Sequence, residues 1–171
     1  MPNHLDRRAL LTEAALMLLP ALVFALLAAY HLTLPGLYYD EAADAVPAMY
    51  LLQHVQPEMA RPHGIPFGGL TLPLMVFDYV GSVSTYAVLP FFAALGPGVM
   101  ALRLMCIAGG AATVALTYLW GRSLFHSRWV GAAAALLLAT HPSFVFYARQ
   151  GVHVSSLMAL SSTPMALAIL R

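Results

Sequence analysis

Lysine is absent from the chain, cysteine occurs once, and charged residues fill only 9% of the 171 positions. Without lysine, Schiff-base chemistry is excluded. With Cys106 alone, an intrachain disulfide and a thiolate metal cluster are excluded as well. So little charge cannot clothe a water-facing surface. Soluble domains carry about 25% charged residues, whereas here 61% of positions are hydrophobic. The same hydrophobicity excludes disorder. A formal net charge of +1 offers no basic surface, which argues against nucleic acid as a partner. What remains is an all-α integral membrane protein.

A membrane helix needs about 20 apolar residues. Residues 9–30, 99–120, 129–148 and 156–170 meet or approach that length, which gives about four transmembrane helices. Arg7 and Arg8 precede the first span and place the N-terminus in the cytoplasm of a multi-pass cell-membrane protein. Glu13 lies one turn inside that span, within reach of the headgroups. A cleaved signal peptide would have an apolar run of about 7–15 residues and a small-residue cleavage site. Here the run is longer and ends in Tyr30-His31-Leu32, which favours a retained anchor. The last apolar segment, from Ser156, stops at Arg171 before it is a complete span. The chain therefore reads as the N-terminal part of a larger transmembrane domain, or as a truncated product.

Residues 33–98 form a large first loop, extracytoplasmic because it follows an in-to-out helix. Up to Ser82 it holds five of the seven acids and six of the twelve prolines. Ala42, Ala45, Val46 and Met49 are spaced as one face of a helix over Glu41–Gln53, with Glu41 and Asp44 on the opposite face. This predicts an amphipathic helix at the membrane surface, kinked or broken near Pro47. Val83–Leu95 is apolar but only 13 residues, or about 20 Å as a helix, too short to cross. If it dips into the membrane and returns, five arginines lie inside (7, 8, 122, 128, 171) and three outside (61, 103, 149). If it crosses, the count is four against four, so the dipping topology agrees better with the positive-inside rule. Under it, Arg149 emerges on the side of Asp40, and Arg103 snorkels to that side from the outer end of its helix.

The strongest local signal is Tyr38-Tyr39-Asp40-Glu41-Ala42-Ala43-Asp44, three carboxylates within five residues just outside the first span. Two readings fit. Asp40 is a natural helix N-cap, with Glu41 in a first turn that favours acids and the tyrosines as interfacial residues. Alternatively, Asp40 is a general base that deprotonates an acceptor hydroxyl at the membrane surface.

An Asp-Glu pair shortly after a first transmembrane helix, followed by an amphipathic helix, resembles the lipid-linked-sugar glycosyltransferases of the GT-C superfamily, which include the protein O-mannosyltransferases and aminoarabinose transferases. Further stretches are similar to bacterial family-39-like members: Asp78-Tyr79-Val80-Gly81-Ser82, Leu89-Pro90-Phe91, Leu95-Gly96-Pro97-Gly98-Val99 with Arg103-Leu104, Tyr118-Leu119-Trp120-Gly121-Arg122, and Leu138-Ala139-Thr140-His141-Pro142 running into Arg149. The resemblance spans residues 5–171.

It implies an inverting displacement that moves a sugar from a polyprenyl-phosphate donor to an acceptor hydroxyl on the extracytoplasmic side. It makes Asp40 the base with Glu41 beside it, and membrane lipid the medium of the donor's tail. A phosphate leaving group needs cations nearby, for which Arg149 is best placed, then Arg61 or Arg103. Asp78 and His63 are further candidates for substrate contact. Many relatives carry a second acid after the third span, where this chain has Gln150 and His153. No cofactor is expected. The seven histidines show no His-x-x-x-His pair, so a divalent metal has no motif behind it. The alternative is a non-catalytic accessory or lipid-linked-sugar-binding membrane protein. A transporter would carry ionisable groups in mid-span, and residues 105–117 are neutral.

Overall fold

The computed structural model describes residues 7–34, 36–58, 63–76 and 81–150, with helical positions at 160–162, 165 and 168; the side chain of Asp44 is outside this description. Arg61, Asp78 and His153 fall outside it too, as does most of the expected span 156–170. The elements in order are α1 (Arg7–Ala29), α2 (Tyr39–Leu52), β1 (Gly64–Phe67), β2 (Leu70–Pro73), α3 (Val83–Leu95), α4 (Val99–Phe125), α5 (Arg128–Ala139) and α6 (Pro142–Arg149).

Among the described residues, two helices are long and apolar enough to cross a membrane: α1, of 23 residues with an 18-residue stretch of mean hydropathy 2.3, and α4, of 27 residues with one of 1.9. They pack antiparallel with α5 around Phe24, Ala28, Val114, Tyr118, Ala135 and Ala139. Gly110 permits the approach of α1, since a Cβ there would sit 2.5 Å from the Phe24 ring. The pairing direction follows from the contacts at each end. Arg103, early in α4, reaches the Leu32 carbonyl just beyond α1, and Arg122, late in α4, meets Glu13 in the second turn of α1. The chain between α1 and α4 therefore leaves and returns at one end of the pair. With both helices in a bilayer, single cysteines at Gln53 and Ser127 should label from opposite faces. Cys106 is buried and gives little background. Labelling of both from one face would refute the antiparallel arrangement.

The expected span at 129–148 is not one straight helix. α5 and α6 meet at Thr140-His141 with a bend of 56°, so the segment is a broken span or a re-entrant turn. Pro142 causes this. It has no N–H to continue the α5 ladder, and it drives His141 to an extended ψ of 120°. Thr140 closes the end of α5: its N–H and its Oγ1 both donate to the Leu136 carbonyl, at 3.1 and 2.9 Å.

α4 and α5 join through His126, in the left-handed region at φ 50°, and Ser127, whose hydroxyl accepts from the Val130 N–H. The helices then touch backbone to backbone. A Cβ on Gly131 would lie 2.5 Å from the Tyr118 carbonyl oxygen and 3.0 Å from the Arg122 nitrogen. Backbone cannot yield as a side-chain tip does, so Gly131→Ala is expected to destabilise by about 1–3 kcal/mol. Thermal unfolding in detergent micelles reads this as a lowered Tm, and an unchanged Tm would mean that the helices separate freely.

The loop is more structured than its prolines imply. α2 runs through Pro47 without a break. β1 and β2 form a two-stranded antiparallel hairpin that hydrophobic periodicity does not reveal. Its tip, Gly68-Gly69, takes positive φ at both positions, as a two-residue hairpin turn requires. Ser82 Oγ and Tyr86 Oη both donate to the Pro73 carbonyl at 2.5 Å, tying the hairpin to α3. A second core joins Ala45 and Ala48 of α2, Val88 and Phe92 of α3, and Leu102, Met105 and Cys106 of α4. The loop is thus seated on the end of α4.

Candidate functional site

The site begins with an arginine where a long apolar helix has little reason to hold one. Arg103 is in the second turn of α4 and only 1% exposed. It does not snorkel to the surface as its place near the helix end suggests. The reason is a partner 62 residues earlier in the chain: Glu41, 0% exposed, whose Oε1 accepts from Arg103 Nε at 3.1 Å and whose Oε2 accepts from NH2 at 3.1 Å. The fork geometry of guanidinium and carboxylate gives this pairing its directionality. The remaining donors of Arg103 are used as well. NH1 donates to the Leu32 carbonyl at 2.6 Å and NH2 to the Gly36 carbonyl at 3.0 Å. Leu32 lies just past the C-terminus of α1, where the helix dipole favours a cation.

Glu41 therefore departs from the polar face that spacing within α2 assigns to it. Helical periodicity is blind to a charge arriving from α4. Glu41 Oε2 also accepts from the Tyr38 N–H at 3.1 Å, so the carboxylate closes the first turn of α2. Asp40 is not the N-cap. That position belongs to Tyr38, and Asp40 lies inside the first turn with its side chain exposed. One ion pair thus fixes three pieces together, the end of α1, the start of α2 and the start of α4. It presents Asp40 to the surroundings beside a carboxylate that is fully engaged.

Arg149, at the end of α6, donates from NH2 to the His31 carbonyl at 3.4 Å. Arg149 and Arg103 thus hold the consecutive carbonyls 31 and 32, which brings a half-buried guanidinium to the end of the fold that carries Asp40. Arg149 also borders a groove of about 340 Å³ with Leu27, Thr140, Pro142, Val145 and Phe146. His63 is exposed at the foot of the hairpin, where its carbonyl accepts from the Leu74 N–H. The structure joins Glu41 to Arg103, with Arg149 on the carbonyl next to the one that Arg103 holds, while Asp40 is exposed next to Glu41 in sequence and His63 sits on the hairpin.

A second groove of about 440 Å³ runs between the end of α2, the hairpin and α3, with Leu51, Phe67, Leu72, Tyr86 and Leu89 among its walls. Burial pushes the Tyr86 phenol above its ordinary pKa, against a lowering hydrogen bond from Ser82. A third groove of about 770 Å³ opens at the opposite end of the α1–α4 pair, around Glu13 and Arg122. Glu13 is engaged within the fold. Its Oε2 accepts from the Tyr118 hydroxyl and lies 3.3 Å from Arg122 NH1. Among the described residues, no group of three or more histidine, cysteine, aspartate or glutamate side chains is gathered as a metal would need.

Sequence reasoning missed the lock itself and the two carbonyls it grips. An arginine in the second turn of an apolar helix, with an acid downstream of the preceding span, is the signal that points to it. Compared with known protein families, curated proteins and solved structures, the chain shows no match.

Proposed function

We propose that the chain works in a membrane glycosyltransferase of GT-C type, moving a sugar from a polyprenyl-phosphate donor to an acceptor hydroxyl at the extracytoplasmic surface. The observation that carries this reading is the exposed Asp40 in the first turn of α2, beside a Glu41 fully occupied by Arg103. In this reading the N-terminus is cytoplasmic, residues 33–98 lie outside, and α3 dips into the outer leaflet without crossing. A donor whose tail stays in lipid must react at such a boundary.

Asp40 accepts the proton of the acceptor hydroxyl. The oxygen attacks the anomeric carbon from the face opposite the phosphate, the bond from that carbon to the phosphate oxygen breaks, and the configuration inverts. Polyprenyl phosphate leaves with the electron pair, and Arg149 faces the charge that develops on it. Glu41 and Arg103 serve as positioning residues, because their donors and acceptors are spent on each other and on the backbone. Asp78, Arg61 and His63 remain candidates for contact with the sugar or the acceptor.

The test is Asp40→Asn in the full-length protein, assayed for sugar transfer from a polyprenyl-phosphate donor in membranes. Transfer is expected to be lost while insertion is retained, and undiminished transfer removes Asp40 from the mechanism. The second reading is a non-catalytic subunit that binds a lipid-linked sugar. Donor binding with no transfer by the unaltered protein would decide for it.

A further inference from the structure

The end of the molecule remote from Asp40 has its own chemistry. The turn between α4 and α5 opens onto the groove of about 770 Å³, whose walls include Glu13, Leu119, Arg122, Ser123, Ser127 and Arg128. We propose that this groove seats the phosphate of an anionic phospholipid headgroup, held by Arg122 from α4 and Arg128 from α5.

Four observations converge. First, the cations outnumber the acids. Among the described residues this end carries Arg7, Arg8, Arg122 and Arg128 against Glu13. Second, Arg122 NH1 lies 3.3 Å from Glu13 Oε2, and the Arg122 side chain is 49% exposed, so its five-donor guanidinium is open to a second anion. Third, the helices that carry the two arginines are fixed against each other. The Gly121–Gly131 approach clamps the helices together just before the turn, and the Arg128 guanidinium rests over the Trp129 ring at 5.6 Å. Arginine pairs set in this way match phosphate oxygens better than scattered surface charge.

The fourth observation selects a lipid over a free anion. Leu124, Phe125, Trp129 and Val130 are exposed on both sides of the turn, next in sequence to the residues that line the groove. A phosphate that carries acyl chains satisfies the polar floor and the apolar rim together. Trp129 is the residue type that marks headgroup depth, and anionic lipids are drawn to basic ends of this kind. The serines at 123 and 127 add hydroxyl donors for the remaining phosphate oxygens.

The test measures the thermal midpoint of the 171-residue chain in neutral detergent micelles. Titrants are phosphatidylglycerol, phosphatidylcholine or inorganic phosphate. Phosphatidylglycerol is expected to raise the midpoint and the other two to leave it unchanged. Arg122→Gln with Arg128→Gln should weaken the apparent affinity for phosphatidylglycerol at least about tenfold. Arg7→Gln with Arg8→Gln removes the same charge from the same end but spares the groove, and should stay within about twofold of the original. An equal loss from both pairs overturns the site in favour of diffuse attraction. A matching shift with inorganic phosphate overturns the lipid, and an unaffected Arg122/Arg128 variant overturns the grip. Should that variant fail to fold, Ser123→Leu fills the groove with the arginines intact: lost selectivity for phosphatidylglycerol supports the proposal, and retained selectivity refutes it.

Discussion

Arg103→Met is expected to destabilise the protein by about 3–5 kcal/mol, a large part of what a typical fold has to spare. The methionine fills the space, so the cost is electrostatic. It leaves Glu41 buried without its counter-charge and strips the Leu32 and Gly36 carbonyls of their donors. Glu41→Leu should cost a comparable amount, because it strands a buried guanidinium and also frees the Tyr38 N–H. The double variant should recover part of the loss, since removing both charges avoids the uncompensated one. It should not recover all of it, because each backbone group left unpaired costs about 1–3 kcal/mol. A double-mutant cycle on thermal or denaturant unfolding in micelles measures the coupling. Additive single effects would show that the two side chains stabilise the fold independently of each other.

Asp40→Asn is expected to lower sugar transfer by about 10²–10⁴-fold, the range that a positioned general base contributes. The substitution keeps shape and removes the proton acceptor. Because the Asp40 side chain is exposed, helix content and Tm should not move. Glu41→Gln provides the contrast. Its lesion lies in the lock, so lost activity should track lost folded protein, and the folded fraction should retain turnover. A Glu41→Gln protein that folds fully yet transfers no sugar would shift the catalytic role from Asp40 to its neighbour. Donor binding measured alongside separates a failed reaction from a failed encounter.

The long apolar runs could be read directly because they are local. Composition and length identify α1 and α4 within a few residues of their ends, since nothing but bilayer or protein can cover 23 or 27 residues of that hydropathy. The Asp40-Glu41 pair was visible for the same reason. What could not be read arises from contacts distant in sequence. The periodicity of α2 turns Glu41 outward, and only Arg103, folded back from α4, turns it in. The hairpin at 64–73 presents Gly, Pro and Thr among its apolar residues, which by spacing alone looks like an irregular loop; the glycine turn and the bonds to Pro73 make it a sheet. The break at Pro142 is written in the chain, but the mostly apolar stretch 129–148 around it masks it, because hydropathy counts residues and ignores the missing N–H.

That break has a mechanical consequence. α6 is a helix of 8 residues, about 12 Å long, set at 56° to α5 and packed on α1 through Phe144, with Arg149 at its far tip. Over that length, a swing of about ten degrees displaces the tip by about 2 Å. The contact between Arg149 and the His31 carbonyl, at 3.4 Å, is set by that angle. The orientation of a single peptide ahead of a proline thereby decides where along the end of α1 the Arg149 guanidinium lands.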